Sequence, residues 1–148
     1  IAPELLNRRL EITLQIYGPD TDQLKDGDNP YWVRKGFAPD PAVPCNACLA
    51  AFYPLITGAG MKGKIALALA QGLPVITTPI GAQGYLEADR YMLIGETPGE
   101  LVDHIVRLMK DESLWNRLRE KGLAYIAAHL SQEAIRKSLS WLLDRPKP

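Results

Sequence analysis

A chain of 148 residues in which 17 basic side chains balance 17 acidic ones argues against a non-specific nucleic-acid binder, which carries a basic face, but leaves room for a local basic pocket. With 47% hydrophobic and 23% charged residues, it has the make-up of one globular domain able to bury roughly 68–70% of its unfolded surface. No apolar run approaches the ~18 residues of a membrane span, and no basic stretch opens into a signal-like apolar segment. The two cysteines, Cys45 and Cys48, make no disulfide framework, so a reducing cytoplasm is the expected compartment.

Pro3 to Arg9 has the pattern of a helix end. The chain enters that pattern almost at once, as expected of a piece of a larger protein. Glu11 to Tyr17 alternates apolar and polar residues and stops at Gly18-Pro19-Asp20, a strand closed by a turn. A polar loop over 20–30 precedes a short strand, Tyr31 to Arg34. Pro39, Pro41 and Pro44 exclude a long helix after it. Leu49 to Tyr53 reads as a buried strand, and 61–71 as a helix stopped by Gly72. Leu73 to Thr78 is apolar and β-branched, the clearest strand of the chain. A glycine-bearing turn over 79–84 and a short strand from Tyr91 to Ile94 follow. Thr97-Pro98-Gly99-Glu100 is a capping box that opens a helix to about Lys110. Two amphipathic helices, near 112–128 and 132–143, precede the tail at Pro146. Strands alternating with helices predict a Rossmann-like parallel α/β sheet, with ligands at the carboxyl ends of its strands.

The stretch Gly58-Ala59-Gly60-Met61-Lys62-Gly63-Lys64 satisfies two phosphate-loop patterns without completing either. As G-x-G-x-x-G it lacks the acidic residue that a dinucleotide site requires about 20 positions on, where Thr77-Thr78 stands. As a Walker A loop it lacks the hydroxyl after Lys64, a place taken by Ile65, so magnesium has no ligand there. A third reading is a tight strand-to-helix turn whose glycines serve packing alone.

The wider stretch points further. Pro54-Leu55, Gly58-Ala59-Gly60, Lys64-Ile65, Ala68, Ala70, Gly72-Leu73-Pro74-Val75, Thr77-Thr78, Gly81-Ala82 and Gly84, in this order and spacing, resemble the carboxyl-terminal half of GT-B glycosyltransferases. The likeness is to the group 1 (glycogen synthase-like) branch. It extends over about residues 12–140, including Gly18-Pro19, Val33 to Gly36, the helix start at Thr97 and Leu118 to Gly122.

The resemblance implies one half of a GT-B fold, a single nucleotide-sugar-binding domain over 1–148. It also implies a substrate, a nucleotide diphosphate sugar, with no other cofactor and no metal. The acceptor-binding domain would lie outside this chain, as would any membrane association. By the same resemblance, Gly58, Ala59 and Gly60 would approach the donor diphosphate or sugar, with Lys64 at the start of the helix beneath. Thr78, Gly81 and Gly84 would form the facing turn, and Gly36 would lie near the base. The family commonly carries two glutamates eight positions apart, the second at the donor ribose. Ala59 and Leu67 occupy those positions here. A donor domain that has kept its fold and lost its chemistry is therefore the alternative, with a nucleotide-sugar epimerase as a third. No catalytic residue can be assigned from the sequence.

Cys45-Asn46-Ala47-Cys48 is half of a zinc site at most, and its expected context, leading into a strand, suits packed thiols better than a redox pair. His104 and His129 fall on late helices, where surface or capping roles are expected. Trp115, Tyr125 and Trp141 read as packing anchors. The basic residues of the late helices, such as Arg107, Arg117 and Lys121, alternate with acids and read as solvated faces.

Overall fold

The computed structural model describes residues 1–23, 30–40 and 42–143. Pro41, the middle of the loop at 20–30, the Pro146 tail and the Trp141 side chain lie outside the described residues. Helix α1 (Ala2–Arg8) leads to β1 (Leu14–Tyr17), which pairs in parallel with β2 (Trp32–Gly36). Next come α2 (Ala42–Asn46), β3 (Ala51–Tyr53), α3 (Gly63–Ala70), β4 (Val75–Thr77), α4 (Pro79–Ala82) and β5 (Met92–Ile94). Three helices close the chain: α5 (Pro98–Lys110), α6 (Glu112–His129) and α7 (Gln132–Leu143).

Among the described residues all strand pairs are parallel, as the alternation of elements predicts, but they form two sheets. One holds β1 and β2, the other β3, β4 and β5 with β4 central. Ala51, Val75 and Met92 stand in register across the larger sheet. A central parallel strand is covered on both faces and must be apolar on both. Val75 and Ile76 meet this condition, and Thr77 is buried with them, each 0–1% exposed.

Because adjacent strand residues point to opposite faces, Val75 and Ile76 open two separate cores. Val75 and Met92 pack with Ile65 and Leu69 of α3, together with Tyr85, Tyr91 and Tyr125. Ile76 and Leu93 pack with Leu101, Ile105 and Leu108 of α5 and with Leu114 and Leu118 of α6. Leu5 of α1, Tyr31 and Val102 of α5 make a third, smaller cluster beside β1.

Two short helices depart from the sequence expectation. Cys45 lies in α2, not in a loop running into a strand, because Pro44 falls within the first turn, where no intrahelical N–H is needed. The residues expected as a plain turn at 79–84 begin with one helical turn, α4. Pro79 sits at its first position, and the Thr78 side chain caps it by accepting from the Gly81 N–H at 3.3 Å. The capping box of α5 forms as expected, with both reciprocal bonds present.

Helix α6 is capped by Asp111, which accepts from the Ser113 hydroxyl at 2.7 Å and the Leu114 N–H at 2.8 Å. The Ser113 bond first, and then the Leu114 N–H, hold its carboxyl below the usual range. A depressed carboxyl binds its proton more weakly in the folded state than in the unfolded one. Its contribution is therefore complete above the unfolded value and is lost as pH falls through the folded value. Asp111→Asn should remove that part of the acid dependence, making the fall in stability below the carboxylate range shallower in urea titrations at a series of pH values.

Candidate functional site

The carboxyl ends of the strands carry the glycines singled out in the sequence. Gly18 N–H donates to the Gly36 carbonyl at 3.0 Å, which places the ends of β1 and β2 side by side. Beyond β3 the chain passes Pro54 and enters the turn at 58–63. Gly58 and Gly60 adopt φ of 125° and 69° there, values that favour glycine strongly. Gly58, Ala59 and Gly60 are all exposed.

Helix α3 starts at Gly63 with Lys62 as an extended N-cap that makes no side-chain cap hydrogen bond. Ile65 N–H already bonds the Lys62 carbonyl at 2.9 Å, so the orphan donors belong to the residues at the very start of the helix. An N-terminus of this kind, free of a competing side-chain acceptor, suits an anion.

The second turn is fastened onto the first. Thr77 Oγ1 donates to the Tyr53 carbonyl at 2.8 Å, and Thr78 Oγ1 donates to the Leu55 carbonyl. Tyr85 Oη donates to the carbonyl of Lys62 at 2.8 Å. Gly84, at φ 89°, lies so close that a Cβ there would come within 3.2 Å of the Met61 backbone nitrogen. The two glycine turns thus meet as the sequence suggests. A cavity of about 700 Å³ lies beside them, lined by Gly58, Gln83, Gly84, Tyr85, Glu87 and Ile94 among others. Burial pushes the Tyr85 hydroxyl up to about 12, which keeps it a proton donor throughout the physiological range. Glu87 pairs with Arg90 at 2.8 Å.

Other residues expected at the site stand differently. Gly81 is buried beneath the turn, where a Cβ would fall 1.9 Å from Thr77 Oγ1. Thr78 is buried and serves as the cap of α4. Gly36 lies at the end of β2 beside the exposed Phe37. Lys64 and Leu67 border a different cavity, between the two sheets. The Lys64 ammonium lies 5.6 Å from the Tyr53 ring centroid, and Tyr53 Oη donates to the Lys64 carbonyl at 3.2 Å.

The lysine that folds over the glycine turn is Lys62, whose Nζ donates to the Gly60 carbonyl. Sequence reasoning passed over it because the G-x-x-x-x-G-K spacing drew attention to Lys64. The available signal was its position between Gly60 and the helix start, where a side chain can curl back over the loop.

Among the described residues no group of three or more His, Cys, Asp or Glu converges as metal ligands. Cys45 and Cys48 pack partly buried against the α3 core, and burial pushes both thiols up. His104 Nε2 meets the Ile94 carbonyl at 3.0 Å, tying α5 to β5, and His129 packs on the Tyr125 ring. Trp115 Nε1 donates to the Leu49 carbonyl at 2.8 Å, the anchoring role expected of it.

The family model "Glycosyl transferases group 1" matches residues 1–111, three quarters of the chain. The chain belongs to the group 1 glycosyl transferases. None of the curated proteins matches it. Among solved structures, a crystal structure of TarM superposes with a TM-score of 0.73 at 16% identity. An S. aureus TarM variant in complex with fondaparinux, alpha-GlcNAc-glycerol and UDP superposes with a TM-score of 0.74 at 17% identity. In both cases 97% of this chain is covered, and it spans 31% of the TarM chain. The likeness shows a shared α/β fold, half of the GT-B architecture. No helix among the described residues of this family member is long and apolar enough to cross a membrane.

The contact between Gly81 and Thr77 yields a stability test. An added methyl at Gly81 must displace Thr77 Oγ1 and so break its bond to the Tyr53 carbonyl. Gly81→Ala should destabilise the protein by about 2–3 kcal/mol, the usual scale for overpacking joined to a lost buried hydrogen bond. In a Thr77→Ala background the same change should cost less than half as much, measured by a denaturation double-mutant cycle.

Proposed function

We propose that this chain is the donor-binding half of a glycosyltransferase that moves a sugar from a nucleotide diphosphate sugar to an acceptor held by another part of the polypeptide. One observation carries the reading: the exposed turn at Gly58–Gly60 runs into a helix start without a side-chain cap and meets a second turn beside an open cavity. Sugar transfer leaves a nucleoside diphosphate. Backbone N–H groups fixed at a helix start stabilise that developing negative charge without reorganising. Family membership supports the same chemistry.

Lys62 supplies the cation in this reading. Its ammonium already sits over the turn, and a phosphate oxygen placed there would replace the Gly60 carbonyl as its acceptor. Lys64, held over Tyr53, supports the helix start from the other side. The TarM variant was crystallised with UDP, which makes a UDP-sugar the first donor to test here.

Leu67 favours a second reading, a donor domain that has kept its fold but not its chemistry. An isobutyl group cannot accept hydrogen bonds from ribose hydroxyls, and hydroxyls left unpaired in a closed site are costly. The two readings separate by ligand binding to the full-length protein, measured as thermal stabilisation by UDP-, GDP- and ADP-sugars. The donor reading expects one of the three to stabilise the protein, by about 2.7 kcal/mol at a hundredfold excess over its Kd. No shift with any of them at millimolar concentration would leave the degenerate reading standing. If donor binds, Lys62→Met should weaken it about tenfold or more, the worth of one charge-assisted hydrogen bond, and Lys64→Met by less than about threefold.

A further inference from the structure

Helix α3 starts without a side-chain cap, yet the carbonyl at its start is crowded. The Lys62 carbonyl accepts from the Ile65 N–H at 2.9 Å, the Ala66 N–H at 3.3 Å and Tyr85 Oη at 2.8 Å. The first two are the ordinary bonds of a starting helix, with one acceptor shared between donors three and four residues on. The third comes from the far side of the second glycine turn, 23 positions along the chain.

A peptide unit joins the carbonyl of one residue to the N–H of the next by resonance. The Lys62 carbonyl is therefore conjugated with the Gly63 N–H. Gly63 opens α3, and its N–H precedes the first intrahelical bond, which Ile65 makes. It is one of the donors that a helix start leaves for an anion. Each bond accepted at a carbonyl pulls electron density onto the oxygen and strengthens the bond that the partner N–H can make, by roughly 10–30%.

Tyr53 provides the contrast. Its hydroxyl donates to the Lys64 carbonyl at 3.2 Å, a longer bond. The N–H of that peptide is Ile65, which the Lys62 carbonyl already holds. Of the two tyrosines that reach the first turn of α3, Tyr85 is the one bonded to a peptide whose N–H lies ahead of the helical ladder. It is also firmly seated. Tyr85 is buried in the core that contains Ile65 and Leu69, and its ring packs on Tyr125.

We propose that Tyr85 is a positioning residue for the donor diphosphate: by bonding the Lys62 carbonyl it fixes the plane of the Lys62–Gly63 peptide and strengthens the Gly63 N–H as an anion donor. The proposal rests on the donor-binding reading and deepens it. The second glycine turn then serves the site through the backbone of the first.

Tyr85→Phe in the full-length protein removes the hydroxyl and keeps the ring. The Lys62 carbonyl retains its two helical donors, so no buried acceptor is stranded and the fold should hold. Tyr91→Phe is the matched control, because it removes a hydroxyl of the same cluster that bonds the Leu86 carbonyl instead. NMR titrations of glycine-labelled protein with UDP, GDP and ADP, and with the corresponding nucleosides, supply both affinities and the Gly63 amide signal. For the nucleotide that the wild type binds, Tyr85→Phe should weaken the diphosphate about fivefold and leave the nucleoside within about twofold. In the ligand-free protein it should also move the Gly63 amide proton upfield. Tyr91→Phe should leave both affinities within about twofold and the Gly63 amide in place. Equal losses for diphosphate and nucleoside, equal losses in the two variants, a diphosphate affinity within about twofold of wild type, or an unmoved Gly63 amide would each overturn the assignment while the donor reading stood. Failure of the wild-type protein to bind any of the three diphosphates would refute the donor reading itself, and the role of Tyr85 with it.

Discussion

Where the backbone ladder between β3 and β4 ends, two threonine hydroxyls continue it, and the carboxyl edge of the larger sheet depends on them. Thr77 takes the carbonyl of Tyr53 and Thr78 that of Leu55, so the chain beyond β3 remains tethered to β4 after the strands part. Thr77 is fully buried, where an unsatisfied hydroxyl would cost about 1–3 kcal/mol, so this bond is strongly enforced. The same residue dictates a glycine at position 81, because its Oγ1 fills the space that a Cβ would need. One buried hydroxyl thus sets the path into the first turn and the residue allowed in the second.

A tyrosine cluster supports this arrangement from behind. Tyr91 stacks on Tyr125 with ring centroids 4.5 Å apart, and Tyr85 packs at 5.9 Å from the same ring. Their hydroxyl groups are turned onto backbone. Tyr85 holds the Lys62 carbonyl, Tyr91 the Leu86 carbonyl, and Tyr125 accepts from the Leu86 N–H at 3.3 Å. Helix α6, which carries Tyr125, thereby reaches the loop bordering the site without contributing a side chain to the cavity beside the turns. Aromatic bodies provide the apolar burial, and their polar tips satisfy the loop, a division of labour suited to the underside of a turn.

Much of this was legible in the residues. The buried strand Val75 to Thr77, the capping box at Thr97 and the glycine turn opening α3 follow from local chemistry, because each signal and its partner lie within a few positions. The features that escaped depend on distance in the chain. No local pattern tells that β1 and β3 leave a gap, since strand adjacency is a tertiary property. Lys62 and Lys64 are near equals by spacing. What separates them is Tyr53, which takes Lys64 to one side, while the extended N-cap conformation lets Lys62 fold back over Gly60. Leu67 breaks the family's glutamate pattern in sequence, yet only the fold shows that it faces the space between the sheets. Helix α4 could have been foreseen: Thr78 followed by Pro79 is a helix-start signal, masked here by the glycines after it.

The resting position of Lys62 has a thermodynamic side. A lysine free in solvent samples many rotamers, and fixing it on a ligand costs up to about 2 kcal/mol of side-chain entropy. Here the chain is already curled onto the Gly60 carbonyl, with its Cε close to where a Gly58 Cβ would be. An anion placed at the turn, as the donor-binding reading proposes, would exchange one acceptor for another and restrict little that folding has not restricted already. The absence of a side chain at Gly58 is then more than a matter of backbone freedom. It clears the groove in which the lysine stem lies, so that substituting this glycine would release the cation before it altered the turn.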